Sequence, residues 1–453
     1  MTTHQEVKVT GWDWKHFRKD PGKLFQFTAL VRQGLSVIVG ILLVKLSFEQ
    51  YQIGIYEMWM FLGLIFTLLC LSGSMQALGT IFHKWPLDER SAGLWTVYWF
   101  SLLGSSLLAL MIWTFRDSFI PFLFKQSQLI ALGPVLIYLT LHLVSGMIPY
   151  VLLVQERKWP SFAGYIVLLV VVQIPVFILV GLTTRDLTTL AQYLIIGAVI
   201  EQLLLLYLLI CSSKLSFSPR RLYRFGKVVL PLTGLAGMGY AAQLFDTWLV
   251  NAVYRDPEIY AVFRYGAREI PGAVALASAF STAMIVLLTK DVKQSLERIK
   301  QGTRRALQIF TPLALLLMLT SSWIFEHIYS SDYVPSALVF NCYLLIGISR
   351  WIFPHSILIA RDRYKILTSI ALLELLVNIL LSILLVRYFG LVGIAIATVF
   401  AFALEKMLLI LFVNYREQIA WHNYIPIRLF LISALSLVLT FLVQCTFFGH
   451  PLL

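Results

Sequence analysis

Thirteen stretches of mostly apolar residues follow one another along this chain, each about as long as the ~20 residues an α-helix needs to cross a bilayer. They run roughly over 24–46, 54–80, 91–114, 128–153, 160–182, 188–211, 226–253, 258–288, 305–325, 335–360, 365–388, 391–413 and 426–447. Backbone polar groups have no water to bond with in lipid, so segments of this kind must be helices. The fold class expected is an all-α integral membrane protein. Composition agrees: 59% of residues are hydrophobic and 13% charged, where a soluble domain carries roughly 25% charge. The net charge of +13 does not point to nucleic acid. The basic residues sit in short gaps between apolar runs, with no basic domain to hold a phosphate backbone.

Those gaps alternate in charge. One set holds the N-terminal tail (Lys8, Lys15, Arg18, Lys19, Lys23) and then Lys84 with Arg90 and Arg157 with Lys158. It continues with the cluster from Lys214 to Lys227, the cluster from Lys290 to Arg305, Arg361 to Lys365, and Arg416. The other set holds Arg116, Lys125, Arg185, Arg255 and Arg387, so the count is 24 against 5. Lys and Arg mark cytoplasmic loops. The expected orientation is therefore a cytoplasmic N-terminus in a cell inner membrane, and thirteen crossings put Leu453 outside. Residues 1–23, with Trp12, Trp14 and Phe17 among basic residues, read either as an interfacial cytoplasmic segment or as a disordered tail. The gap 289–304 reads as one amphipathic cytoplasmic stretch. No cleavable signal peptide is apparent.

The gaps are too short for an extramembrane catalytic domain. Walker, GxSxG and HExxH sequences are absent, so no enzyme activity and no cofactor are expected. Cys70, Cys211, Cys342 and Cys445 have neither disulfide nor metal-site spacing. An offset of 204 residues lays Ile55-Tyr56 on Ile259-Tyr260, Arg157 on Arg361 and Glu201 on Glu405, and it superimposes spans one to six on spans seven to twelve. The organisation expected is two pseudo-symmetric six-helix bundles, 24–211 and 226–413, joined by a cytoplasmic linker at 212–225, with an additional span at 426–447.

Ionisable residues inside spans are costly and are functional candidates by default. Arg264 and Arg268 lie four apart, which on one helix puts both on one face. They must meet a partner, an aqueous cavity or a bound anion, and guanidinium suits phosphate. An ion pair with Asp246, counted to a similar depth, is the competing reading. Arg32 lies about 12 Å in from the basic end of its span. Arg350 lies near mid-membrane with Glu374 as a candidate partner, and Glu374 with Asn378 marks a polar helix face. Glu57 and Lys45 sit near the outer boundary, where either can snorkel. Glu405 and Lys406 read as a pair near the inner end of their span. His142 and His355 read as packing or hydrogen-bonding residues. Pro231 followed by Gly234, Gly237 and Gly239 allows close helix packing or a hinge.

Phe245-Asp246-Thr247-Trp248-Leu249-Val250, then Glu258-Ile259-Tyr260-Ala261-Val262 and Arg264-Tyr265, resemble the span seven-to-eight passage of the multidrug/oligosaccharidyl-lipid/polysaccharide exporter superfamily, in its polysaccharide-flippase (Wzx-type) branch. The run from Asn378 to Leu385 and then Tyr388-Phe389-Gly390-Leu391-Val392-Gly393-Ile394 to Thr398 resembles that family's eleventh-to-twelfth passage. Gln52-Ile53-Gly54-Ile55-Tyr56, with the first span, resembles its start. The thirteenth span departs from the twelve-helix core. The gap His83 to Arg90 lacks the glycine-rich basic signature of major-facilitator carriers, which also have two six-helix halves.

The resemblance implies a flippase that moves undecaprenyl-diphosphate-linked oligosaccharide across the inner membrane by alternating access, for cell-surface polysaccharide biosynthesis. Its partners would be the lipid-linked oligosaccharide, membrane lipids and other polysaccharide-assembly proteins. Arg32, Arg264, Arg268 and Arg350 would line the diphosphate and glycan cavity. Asp246, Glu57 and Glu374 would be candidates for ion coupling. Two alternatives stay open: a drug/cation antiporter of the same superfamily, which should prefer acidic cavity residues, and a membrane-embedded glycosyl- or acyltransferase, which should have an outer catalytic loop.

Overall fold

The computed structural model describes residues 18–82, 85–212, 215–270, 272–288 and 291–447, so most of the N-terminal tail lies outside it. Seventeen helices account for the described fold. The first half of the chain gives α1 (Pro21–Lys45), α2 (Gln50–Phe66), α3 (Gly73–Ile81), α4 (Leu87–Thr114), α5 (Arg116–Phe124), α6 (Leu132–Ser145), α7 (Ile148–Val154), α8 (Trp159–Thr183) and α9 (Leu187–Ser212). The second gives α10 (Pro219–Tyr254), α11 (Pro257–Gly266), α12 (Ala273–Leu288), α13 (Val292–Ile324), α14 (Ser336–Arg350), α15 (Pro354–Ala360), α16 (Tyr364–Tyr415) and α17 (Ile427–Phe447). Among the described residues, nine helices are long and apolar enough to cross a membrane, or up to eleven when each of two bent pairs counts as one span.

Helix starts follow local chemistry. Asp20 caps α1 by accepting from Gly22 N at 3.0 Å and Lys23 N at 3.2 Å, with Pro21 in the first turn. Proline there loses nothing, because the first amides of a helix have no intrahelical partner. Ser218 before Pro219 and Asp256 before Pro257 repeat the device on α10 and α11. The helix of the seventh span thus begins at Pro219 and takes up Arg220, Arg221 and Arg224. The basic stretch expected at 289–304 joins the ninth span as the single helix α13, capped by Asp291 on Gln294 N at 3.0 Å.

Several spans are broken. α10 bends by 62° between Pro219–Gly234 and Gly239–Tyr254, across the glycines that follow Pro231. A π-helical turn at Thr67–Ser72 separates α2 from α3. The fourth span divides into α6 and α7. The tenth divides into α14 and α15, bent by 44°. α16 is 52 residues long, about 78 Å at 1.5 Å per residue and far more than one bilayer crossing. It is two helices that meet at Gly390, whose φ of 57° and ψ of −138° only glycine adopts without strain.

Lipid-facing surface is extensive. Leu107, Leu182, Leu230 and Leu380 are 68%, 71%, 76% and 67% exposed, which water would not tolerate across so many helices. The interior forms three cores. At the end where basic residues are few, one continuous core joins both halves, from Ile53, Phe124 and Leu190 to Tyr260, Tyr333 and Leu391. Toward the basic end the halves have separate cores, one around Trp95, Val151 and Leu205, the other around Ile299, Leu358 and Tyr424. The shared end is tied by polar contacts between the halves. Gln126 Nε2 donates to Arg255 O at 3.0 Å, Trp248 Nε1 to Phe122 O at 3.1 Å, and Lys45 Nζ to His327 O at 2.7 Å. A Cβ on Gly54 would fall 1.9 Å from Pro257 O, so only glycine permits this approach of α2 to α11.

Candidate functional site

The eighth span is not one helix. α11 stops at Gly266, and the chain runs without helical structure through the described residues 267–270 before α12 starts at Ala273. Gly266 is pressed against α14, where a Cβ would meet Ser336 O at 2.6 Å, and Gly272 has φ +83°. Irregular backbone at membrane depth is tolerated only where protein or a water-filled cavity surrounds it. The break carries Arg268 and Glu269, with Arg264 one turn before it.

Glu57 of α2 receives both arginines. Arg264 Nε lies 3.2 Å from Glu57 Oε2 and Arg268 Nη2 3.1 Å from Glu57 Oε1; the Glu57 side chain is 4% exposed, Arg264 16% and Arg268 23%. The i,i+4 expectation therefore holds in outcome but not in cause. Arg268 lies beyond the helix end and is folded back by its own Nε, which donates to Arg264 O at 3.3 Å. Its guanidinium lies over the Tyr265 ring at 4.8 Å. Tyr265 in turn donates to Gly40 O of α1 at 3.2 Å. Two cations share one carboxylate, so the cluster carries a net positive charge. Arg268 Nη1 is buried without a hydrogen-bond partner among the described residues. A buried guanidinium donor left open costs free energy unless something accepts from it.

The competing reading, an ion pair between Asp246 and these arginines, does not form. Asp246 accepts instead from Ser382 Oγ at 3.2 Å and Thr398 Oγ1 at 2.6 Å, and Asn378 Nδ2 donates to Thr398 Oγ1 at 3.2 Å. All four residues are buried. Arg264 faces α2, whereas Asp246 faces α16. Arg350 likewise pairs with Glu269 and not Glu374: its Nε donates to Glu269 Oε2 at 3.1 Å, and its second nitrogen contacts Oε1. This pair lines a cavity of about 20 Å³ with Tyr343 and Gly347. Glu374 Oε1 is buried without a partner among the described residues. Arg32 stands apart, with Nη1 3.7 Å from where a Cβ on Gly146 would sit at the break between α6 and α7. Its neighbour Gln33 accepts from Gly272 N at 3.3 Å, which brings α1 against the break of the eighth span.

Among the described residues, no cluster of His, Cys, Asp and Glu could hold a metal ion. Asp246 is held by two hydroxyls and, through Thr398, by the Asn378 amide, oxygen chemistry that would suit a proton or a hard monovalent cation rather than zinc. Two further buried carboxylates are the residues that the 204-residue offset aligns in sequence. Glu201 and Glu405 each bond a histidine of the broken span in their own half. Depth counting singled out neither histidine, because each is defined by contact between distant spans. Against α14 and α16, α17 leaves a cavity of about 650 Å³ walled by Leu345, Ile352, Met407, Ile410, Phe430 and Val438, with Lys406 on its lining.

No family model matches the sequence, and no curated protein sequence matches it significantly. Solved structures do match. A lipid II flippase, MurJ, in an inward closed conformation aligns over 93% of this chain and 92% of its own, with TM-score 0.68 and 18% identity. An inward-facing multidrug resistance MATE family transporter of the MOP superfamily aligns over 91% and 95%, with TM-score 0.59 and 15% identity. An outward-facing structure of a multidrug resistance MATE family transporter gives 0.54 and 13% over 94% and 97%. The chain has the fold of these membrane transporters, none of which is an enzyme.

Proposed function

We propose that this chain flips lipid-linked oligosaccharide carrying a diphosphate, of the undecaprenyl-diphosphate type, across the inner membrane for assembly of a cell-surface polysaccharide. The observation that carries this reading is the net-positive Arg264–Glu57–Arg268 cluster with an unfilled, buried guanidinium donor, set in a broken span. Planar guanidinium forks grip phosphate oxygens two at a time. Broken helices are where secondary transporters bind cargo. Arg32 and Arg350 would complete the anionic site from the two halves. A prenyl chain would stay in lipid or lie in the apolar cavity beside α17.

The basic end is taken as cytoplasmic, by the 24-to-5 asymmetry. The shared core and the Glu57 pairs then close the outer end, and the separate cores allow the inner end to part. In this reading Glu57 is an outer gate that substrate diphosphate competes with. Asp246, with Ser382, Asn378 and Thr398, is the coupling site for a proton or sodium ion, and Glu374 lies one turn from Asn378 on the same helix. A drug/cation antiporter, the activity class of the MATE neighbours, fits the arginines poorly because its cavity should attract cations.

The test is the lipid pool of a strain lacking this protein. Mass spectrometry should find an accumulated diphosphate-linked oligosaccharide that disappears on complementation. An unchanged lipid-linked pool beside lost efflux of cationic compounds would reject the reading in favour of the antiporter.

A further inference from the structure

The 204-residue offset pairs two buried carboxylates, Glu201 and Glu405, each bonded to a histidine that the offset does not pair, and a lysine stands beside only the second. In the second half, Glu405 Oε1 lies 2.9 Å from His355 Nε2, Lys406 Nζ lies 3.2 Å from Glu405 Oε2, and Lys406 Nζ also stands 3.0 Å from His355 Nδ1. A lysine already supplies the positive charge there, and it occupies the other ring nitrogen of the histidine. That carboxylate is neutralised without help from solution.

In the first half the position equivalent to Lys406 is Gln202. Its amide turns away to Leu141 O at 2.7 Å. Glu201 is 1% exposed. Its Oε2 lies 2.8 Å from His142 Nδ1 and accepts from Ser145 Oγ at 2.6 Å. Oε1 has no hydrogen-bond partner among the described residues. The groups facing the pair from other elements are Arg32 of α1, Tyr165 and Gln173 of α8 and, beyond His142 on α6, Tyr138, whose ring stacks on the imidazole at 5.1 Å. None of them touches Glu201 as Lys406 touches Glu405. Beside Glu201 and His142 lies a partly open cavity of about 10 Å³ lined by Tyr138, Gln173 and Gly197, about the space of a single water centre.

We infer that Glu201 and His142 form a proton-binding site in the first half of the transporter, separate from Asp246. With Nδ1–H given to Glu201, the free lone pair of His142 is on Nε2, and the incoming proton lands there from water. The product is an imidazolium–carboxylate pair, which replaces by titration the charge that Lys406 supplies permanently in the second half. Because His142 and Ser145 end α6 at the break and Glu201 belongs to α9, protonation tightens the broken span onto its neighbour.

Solid-state NMR of protein labelled with ¹⁵N-histidine in lipid bilayers tests this, with the His142 signal identified by its loss in His142→Gln. From about pH 5 to about pH 9, the range in which histidine titrates, that signal should change from doubly protonated to neutral. Glu201→Gln should alter its proton affinity by about tenfold or more, and Asp246→Asn should leave it unmoved. Ser145→Ala, which removes one donor to the same carboxylate, is the second variant should Glu201→Gln fail to insert, and it too should displace the midpoint. A His142 signal that never changes protonation in this range, or that titrates identically in the carboxylate and serine variants, would reduce the cluster to a structural pin.

Discussion

Replacing Glu57 by Gln should open the outer end. The substitution keeps the shape and one acceptor oxygen but removes the charge that two guanidiniums share at 3.1 and 3.2 Å. Both arginines are less than a quarter exposed, so solvent screens them poorly. Removing one partner of a buried ion pair costs about 3–5 kcal/mol. Here the cost falls on the state in which α2 and α11 are joined, because in the parted state each arginine can reach water or substrate. A loss of about 3 kcal/mol moves a 1:99 mixture of outer-open and outer-closed protein to a roughly even one. Spin labels at the exposed positions Ser127 and Glu258, one on each half, read this directly once the four native cysteines are replaced. Double electron–electron resonance should give a single short distance in the parent and an added longer population in Glu57→Gln. An unchanged distribution in a variant that inserts normally would show that Glu57 does not hold the gate.

Gly54→Ala should act in the same direction by steric means, since its Cβ would fall 1.9 Å from Pro257 O; the same labels check it. Gly390→Ala forces a φ of 57° and ψ of −138° on a residue with a side chain, and should cost about 1–3 kcal/mol, read as a lower thermal midpoint in detergent with flipping retained below it. Reporter fusions after Ser218 and Lys300 should report cytoplasm, and fusions after Gln50 and Asp332 the outer side; inversion of either pair would refute the orientation. Asp246→Asn should insert normally yet lose the dependence of transport on an imposed pH or sodium gradient, and unchanged dependence in reconstituted vesicles would remove Asp246 from coupling.

The all-helical membrane class was legible because it rests on local composition. A run of 20 apolar residues needs no knowledge of its neighbours. Pairings were not legible. Asp246 was matched to Arg264 by depth, but depth says nothing about which helix a side chain faces. The true partner, Glu57, is 207 residues from Arg264 and reads as a snorkelling residue at a boundary until α2 is seen against α11. Glu269 is 81 residues from Arg350, and nothing local ties the two. The break after Gly266 hid inside an apolar run, and its signal was the glycine and proline that follow Arg268. The offset equates Glu201 with Glu405 but lays His142 on Ile346 and His355 on Val151, so neither carboxylate–histidine pair was legible, and lone histidines in apolar helices carry no such signal on their own.

The central claim is that guanidiniums at the broken eighth span carry an anionic lipid-linked cargo. Purified protein in vesicles, given a fluorescent oligosaccharide on a polyprenyl diphosphate, tests it through the rate at which the glycan becomes accessible on the far side. The parent should flip this lipid. Arg268→Ala and Arg264→Ala should lose at least about tenfold in rate, with Arg268→Lys recovering part of it because charge is kept but the bidentate fork is not. Flipping at the parent rate in both alanine variants would contradict the account.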